Sequence, residues 1–189
     1  MAFFIILSPY LAHAGLMMVT SAAISLFAGG AVALALVAYD LWCGRTVKLL
    51  AAGTALTFFA LGSYLALIES PWSAHSVHLA INISVLAIIL LSLTIRQPFT
   101  IQYAREQVEP DVAREPSFIR INYVLTWAWV AALVLMLIAD ILMLTIPSAP
   151  LWLGLGMTFA ARNAAVYFTK WYPEHRIAQI EAEQRAGRT

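Results

Sequence analysis

Charge is what this sequence has least of. Only 11% of its 189 residues are charged, against about a quarter in ordinary soluble domains, and the first 39 contain no Asp, Glu, Lys or Arg. That excludes a water-soluble domain of the usual kind. A net charge of +1 without a basic patch gives no surface for nucleic acid. The single cysteine, Cys43, excludes an internal disulfide and a cysteine-based metal cluster. It reads as a small apolar residue, buried or at an interface. No H-E-x-x-H, G-x-S-x-G or phosphate-binding glycine loop occurs. Catalysis therefore has no anchor, the chain leans away from an enzyme, and no cofactor is implied.

What is abundant is apolar. Hydrophobic residues make up 62% of the chain and the mean hydropathy is +0.82, which predicts an all-α, polytopic transmembrane helix bundle. At about 20 residues per span the length holds five or six helices in one domain, 1–189. The uncharged 39-residue start would make about 58 Å of helix, twice the ~30 Å hydrocarbon core, so it must break. Pro9 and His13-Ala14-Gly15 are placed to break it early, and Gly29-Gly30 to bend it later. The expected spans are 3–16, 19–42, 49–68, 75–95, 119–145 and 151–169, the first crossing or re-entering the membrane. Ala12-His13-Ala14 resembles a signal-peptide cleavage site, but no positive segment precedes it, so it is read as retained.

The basic residues fix an orientation. Arg45 and Lys48 fall in one loop, Arg96, Arg105, Arg114 and Arg120 in a second, and Lys170, Arg176, Arg185 and Arg188 in the tail. The intervening loops, 70–76 and 145–150, have no Lys or Arg. Alternation of basic and neutral loops is the positive-inside pattern. It predicts a cytoplasmic loop at 96–118 and a cytoplasmic tail at 170–189, the tail a frayed surface helix. Tyr39, Trp42, Tyr123, Trp127, Tyr167, Trp171 and Tyr172 would then lie at the inner interface, with Trp72 and Trp152 at the outer one. Amphipathic rings prefer the headgroup level, so these read as anchors.

The loop 96–118 carries TIQYAREQVEP, where Ile101, Ala104 and Val108 recur at helical spacing. It predicts a short helix on the membrane surface, stopped by Pro110. Membrane lipids are its first partners. Its mixed charge, with Arg105, Glu106 and Glu109 off the apolar stripe, makes it the candidate docking site for a cytoplasmic protein.

A charge inside a span costs about 2.5–3.5 kcal/mol on insertion scales, which makes such residues natural suspects. Arg162, in TFAARNAAVYF, lies deepest. It either locks the bundle by pairing with Asp40 or a helix C-terminus, or faces an anionic headgroup or substrate in a polar cavity. Asp140, in LIADILML, and Asn82, in LAINISVL, reach similar depths on their two spans. Hydrogen bonding between helices, or a proton-coupled site, would account for them. Arg162 lies several ångströms deeper than Asp140 on this register, so the two are not paired. His75 and His78, at i and i+3 with Glu69 nearby, lack a clear third ligand, and no metal site is assigned. Small residues in SAAISLFAGGAVALA and AAGTALTFFALG are read as helix-packing faces.

The order of these features resembles the bacterial intracellular septation protein A (YciB-type) inner-membrane family. The resemblance lies in the proline-bearing start FIILSPYLAHAG, the span exit AYDLWCGRTVKLL and the basic turn IRQPF. It continues in the span entry FIRINYVLTWAWVAALV and the exit IPSAPLW. Asn122 and Trp127 match that family's span-entry pattern. Gly154 and Gly156 depart from it, occupying the region where the family has a lysine after its final tryptophan. The resemblance implies an inner-membrane protein supporting cell-envelope maintenance or division through contacts with envelope or division proteins, or as a homo-oligomer. The alternative on the residues alone is a small channel or carrier using Arg162, Asp140 and Asn82.

Overall fold

The structure, a computed structural model, describes residues 2–68, 72–146 and 148–186. Glu69 and Pro147, with the parts assigned to them above, lie outside these. Among the described residues all regular structure is helical: α1 (Ala2–Met17), α2 (Ala22–Trp42), α3 (Leu49–Ile68), α4 (Ala74–Thr94), α5 (Phe99–Ala104), α6 (Pro116–Thr145) and α7 (Leu151–Ala186). Two single 3-10 turns, Arg105–Gln107 and Val112–Arg114, lie between α5 and α6.

Four of the helices, α2, α3, α4 and α6, are long and apolar enough to cross a membrane. The three of 20–21 residues span about 30 Å, the thickness of the hydrocarbon core. No more than 28% of the apolar stretch of any of the four is buried in the bundle. Leu34, Leu56, Ile83, Leu91 and Leu135 all face outward. Soluble proteins do not carry apolar surface so continuous, and the architecture is that of a multi-pass membrane protein. At 16 residues α1 is shorter than a usual span. α7 begins apolar, is interrupted by Arg162 and Asn163, and runs on through Pro173 to Ala186.

The start of the chain differs from the expected breaks. α1 continues through Pro9 and His13, and the turn comes at Met18–Ser21, where Thr20 N–H donates to the Leu16 carbonyl at 2.8 Å. Ser21 caps α2 through a bond from Ile24 N–H, the usual role of serine before a helix. Gly29 and Gly30 do not bend α2; they let neighbours in. A Cβ on Gly29 would lie 2.6 Å from the Phe58 ring and 2.8 Å from the Pro9 carbonyl oxygen. Around that contact Leu26, Phe58, Leu65, Val77 and Ile81 form one core.

Helices packed in sequence (α1 on α2, α2 on α3, α3 on α4, α4 on α6, α6 on α7) form a curved row. α1 folds back over the row: its Tyr10 hydroxyl is 2.6 Å from that of Thr54 on α3. Two helices close at one end on residues in the left-handed conformation, Gly44 (φ 66°) after α2 and Arg96 (φ 55°) after α4. There Arg45 N–H donates to the Asp40 carbonyl and Gln97 N–H to that of Ser92, both at 2.8 Å, which satisfies carbonyls that a helix end leaves open. This end, carrying Arg45, Lys48, Arg96 and Arg120, is termed the basic end.

The helix expected to lie on the surface is shorter than its apolar spacing suggests and is bound to the bundle. α5 stops at Ala104, Phe99, Thr100 and Ile101 are buried, and Val108 is exposed. The Ser92 hydroxyl accepts from Phe99 N–H, Thr100 donates to the Asn122 carbonyl or shares its proton with Thr126, and Gln102 accepts from Leu49 N–H. Tertiary hydrogen bonds, not the lipid surface, set its position.

Candidate functional site

A cavity of about 810 Å³ lies between α1 and α7, with α4 and α6 as its floor. Its existence follows from the packing order: α1 and α7 are the two ends of the row, so each is supported on one side only. At the basic end it stops at Leu50, Ile89 and Phe99, all buried in one cluster with Leu133. At the opposite end it reaches Ala74 and His75 on α4 and Gly154 on α7. The cavity is thus closed on the basic side and reaches the far ends of the helices on the other.

Three of the residues singled out from the sequence, Arg162, Asp140 and Asn82, line this cavity. Asn82 Nδ2 donates to Asp140 Oδ2 at 2.7 Å, joining α4 to α6, and both residues are buried. Asp140 sits five residues before the end of α6, about 7.5 Å along its axis. Arg162 sits eleven residues into α7, about 16 Å from the same side. It is half-buried, and among the described residues no ion pair or hydrogen bond engages its guanidinium.

His13 is the residue that the sequence reading passed over as part of a helix break. In the fold it lies 3% exposed on the cavity wall. Neither of its ring nitrogens is hydrogen-bonded, although the Ser25 backbone is close enough to interact electrostatically. Its ring centroid is 6.1 Å from that of His78 and 5.5 Å from that of Phe58. Only its position in an uncharged run beside Pro9 could have signalled it, and that signal does not separate a packed histidine from a ligand-facing one. His75 and His78 also line the cavity. Among the described residues no group of three or more His, Cys, Asp or Glu is arranged to hold a metal ion.

Asp40 is elsewhere. Lys48 Nζ lies 2.7 Å from Asp40 Oδ1 and 2.8 Å from Glu106 Oε1, and the lysine side chain is only 4% exposed. The pairing of Asp40 with Arg162 is therefore replaced by a pairing with Lys48, because both residues flank the turn between α2 and α3. Glu106, expected on a free docking loop, is held by the same lysine, while Arg105 and Glu109 are exposed. Lys48 also approaches the Tyr103 ring at 5.8 Å. Burial, reinforced by Tyr10, Asp40 and Glu106, holds the Tyr103 phenol above its ordinary pKa, so it stays protonated. This cluster ties α5 to the basic end of the bundle.

Chemically, the cavity offers one guanidinium without a partner among the described residues, a carboxyl–amide pair, and the imidazoles of His75 and His78, set in a mostly apolar wall. That is a binding arrangement: few convergent polar groups in an apolar pocket of small-molecule size. No protein-family model, curated protein or solved structure matches the chain.

Proposed function

We propose that this chain is a six-span membrane carrier that binds a small molecule in the cavity between α1, α4, α6 and α7. The observation that carries this reading is Arg162: a guanidinium near mid-membrane, without a partner among the described residues, opening into a cavity of about 810 Å³. An intramembrane charge that locks a bundle is paired, and even at the basic end, outside the spans, the buried Lys48 is paired with Asp40 and Glu106. Arg162 is not, so the ligand supplies its counter-charge. Closure at Leu50, Ile89 and Phe99 with access from the other end supports one state of an alternating-access cycle.

On this reading α1 and the apolar half of α7 complete six spans, with the basic end and the C-terminus in the cytoplasm. The septation-family resemblance favours a bacterial inner membrane. The envelope or division role that it implies, through partner proteins or self-association, rests on the sequence motifs alone. The carrier reading rests on the cavity.

The test is ligand-dependent thermal stability of the purified protein, screened against cationic, anionic, zwitterionic and neutral small molecules with and without alkyl chains. At least one class raises Tm in the parent protein and has no effect on Arg162→Ala of unchanged unliganded Tm. A panel with no effect on the parent removes the carrier reading and leaves Arg162 a structural residue.

A further inference from the structure

Resting on that cavity reading, we infer that the ligand is a single-chain amphiphile with an anionic head, a carboxylate or a phosphate, held by Arg162 with its chain toward Phe99. Charge decides the head. Arg162 is the one lysine or arginine among the cavity-lining residues. A guanidinium presents a planar fork of donors matched to carboxylate and phosphate oxygens. The one lining carboxyl group, Asp140, is about six residues nearer the opposite end, ~9 Å along the axis, and is already engaged by Asn82. Arg162 is thus the lining charge with no partner among the described residues, and the counter-charge it takes is an anion.

The wall decides the body. From Arg162 toward the basic end the cavity is lined by Leu133, Trp129, Ile89, Phe99 and Leu50. Trp129 Nε1 donates to Thr169, seven residues beyond Arg162 on α7, so this apolar wall extends about 10 Å past the guanidinium. That length takes an alkyl chain, and burying one there is favourable at about 0.8 kcal/mol per methylene. On the other side of Arg162 lie the cavity's further polar groups, among them Asn82 and Asp140 bonded to each other and the rings of His75 and His78. The two histidines are placed to meet any further hydroxyl or phosphate oxygens of the head.

The rim decides the route. On α7 the cavity-lining Leu155 and Phe159 are 61% and 63% exposed, and on α1 Ala14 is exposed beside them. A solute arriving from water would enter at the far end of the helices, past His75. These apolar side chains instead lie where bilayer lipid meets the gap between α1 and α7. The ligand enters sideways, from the hydrocarbon.

The protein in phosphatidylcholine nanodiscs is titrated with dodecanoate, dodecyl phosphate, dodecanol, dodecyltrimethylammonium and acetate, each competing with tritiated dodecanoate. Dodecanoate and dodecyl phosphate are expected to bind at least about tenfold more tightly than dodecanol or the ammonium, the worth of a charge-assisted hydrogen bond. Whichever is the tighter of the two names the head. Arg162→Gln reduces anion binding to the level of dodecanol without weakening dodecanol itself. Arg162→Lys, keeping charge but losing the fork, lies between. Equal binding of dodecanol and dodecanoate, or preference for the ammonium, overturns the anionic head while leaving a ligand cavity in place. Acetate binding as tightly as dodecanoate overturns the chain. No binding by any probe removes the amphiphile and counts against the carrier reading, which the broader stability screen then decides.

Discussion

Asn82 and Asp140 meet at 2.7 Å in the buried seam between α4 and α6, 58 positions apart in the chain. Their bond is the polar fastening of two helices that otherwise join through apolar side chains. Interhelical hydrogen bonds in membranes average well under 2 kcal/mol, because the separated helices also find partners. Asn82→Leu should therefore destabilise the protein by about 1 kcal/mol, and Asn82→Leu with Asp140→Leu by less than the sum of the two single changes. Reversible unfolding in mixed micelles measures this. Additive effects would show that the bond contributes nothing to stability.

Lys48 is the centre of the basic end, with two carboxylates within 2.8 Å. Lys48→Met leaves the buried Asp40 without a counter-charge and should cost about 3–5 kcal/mol. Adding Asp40→Leu should recover much of that loss, since the uncompensated charge is then gone. Glu106, on the more exposed side of the cluster, should tolerate Glu106→Gln with a smaller effect. Thermal unfolding of the three variants checks the order, and a double variant no better than Lys48→Met would contradict it.

Gly29 and Gly15 should behave oppositely. A Cβ at Gly29 meets the Phe58 ring and the Pro9 carbonyl below 3 Å, and a backbone atom cannot swing away. Gly29→Ala should cost about 1–3 kcal/mol. At Gly15 nothing lies within 4 Å, so Gly15→Ala should be neutral or stabilise by up to about 1 kcal/mol through helix propensity. Comparing their melting temperatures tests the close approach of α1, α2 and α3.

Cys43, the single cysteine of the chain and exposed after α2, reports orientation without any added label site. A membrane-impermeant maleimide should modify it in inverted vesicles and not in intact cells. In a Cys43→Ser background, Ser148→Cys should show the reverse. Labelling of Cys43 from outside would invert the topology and place the cavity mouth on the cytoplasmic side.

What the sequence by itself determined is the solvent. Scarcity of charge and apolar runs of span length leave helices as the only way to satisfy the backbone in lipid, so helix existence could be read in one dimension. α3 occupies 49–68 as expected, and α2, α4 and α6 begin or end within a few residues of the expected limits. Arg162, Asp140 and Asn82 were visible for the same reason, since a polar residue in such a run stands out by its cost. Tertiary structure alone decided which of them meet. Asp40 found Lys48 through a turn, His13 reached the cavity because α1 stays helical past Pro9, and α5 was held by bonds to α3, α4 and α6. Those outcomes depend on which faces of the helices pack together. In a membrane helix apolar on every side, no periodicity marks the packing face; close contacts such as Gly29 against Phe58 select it.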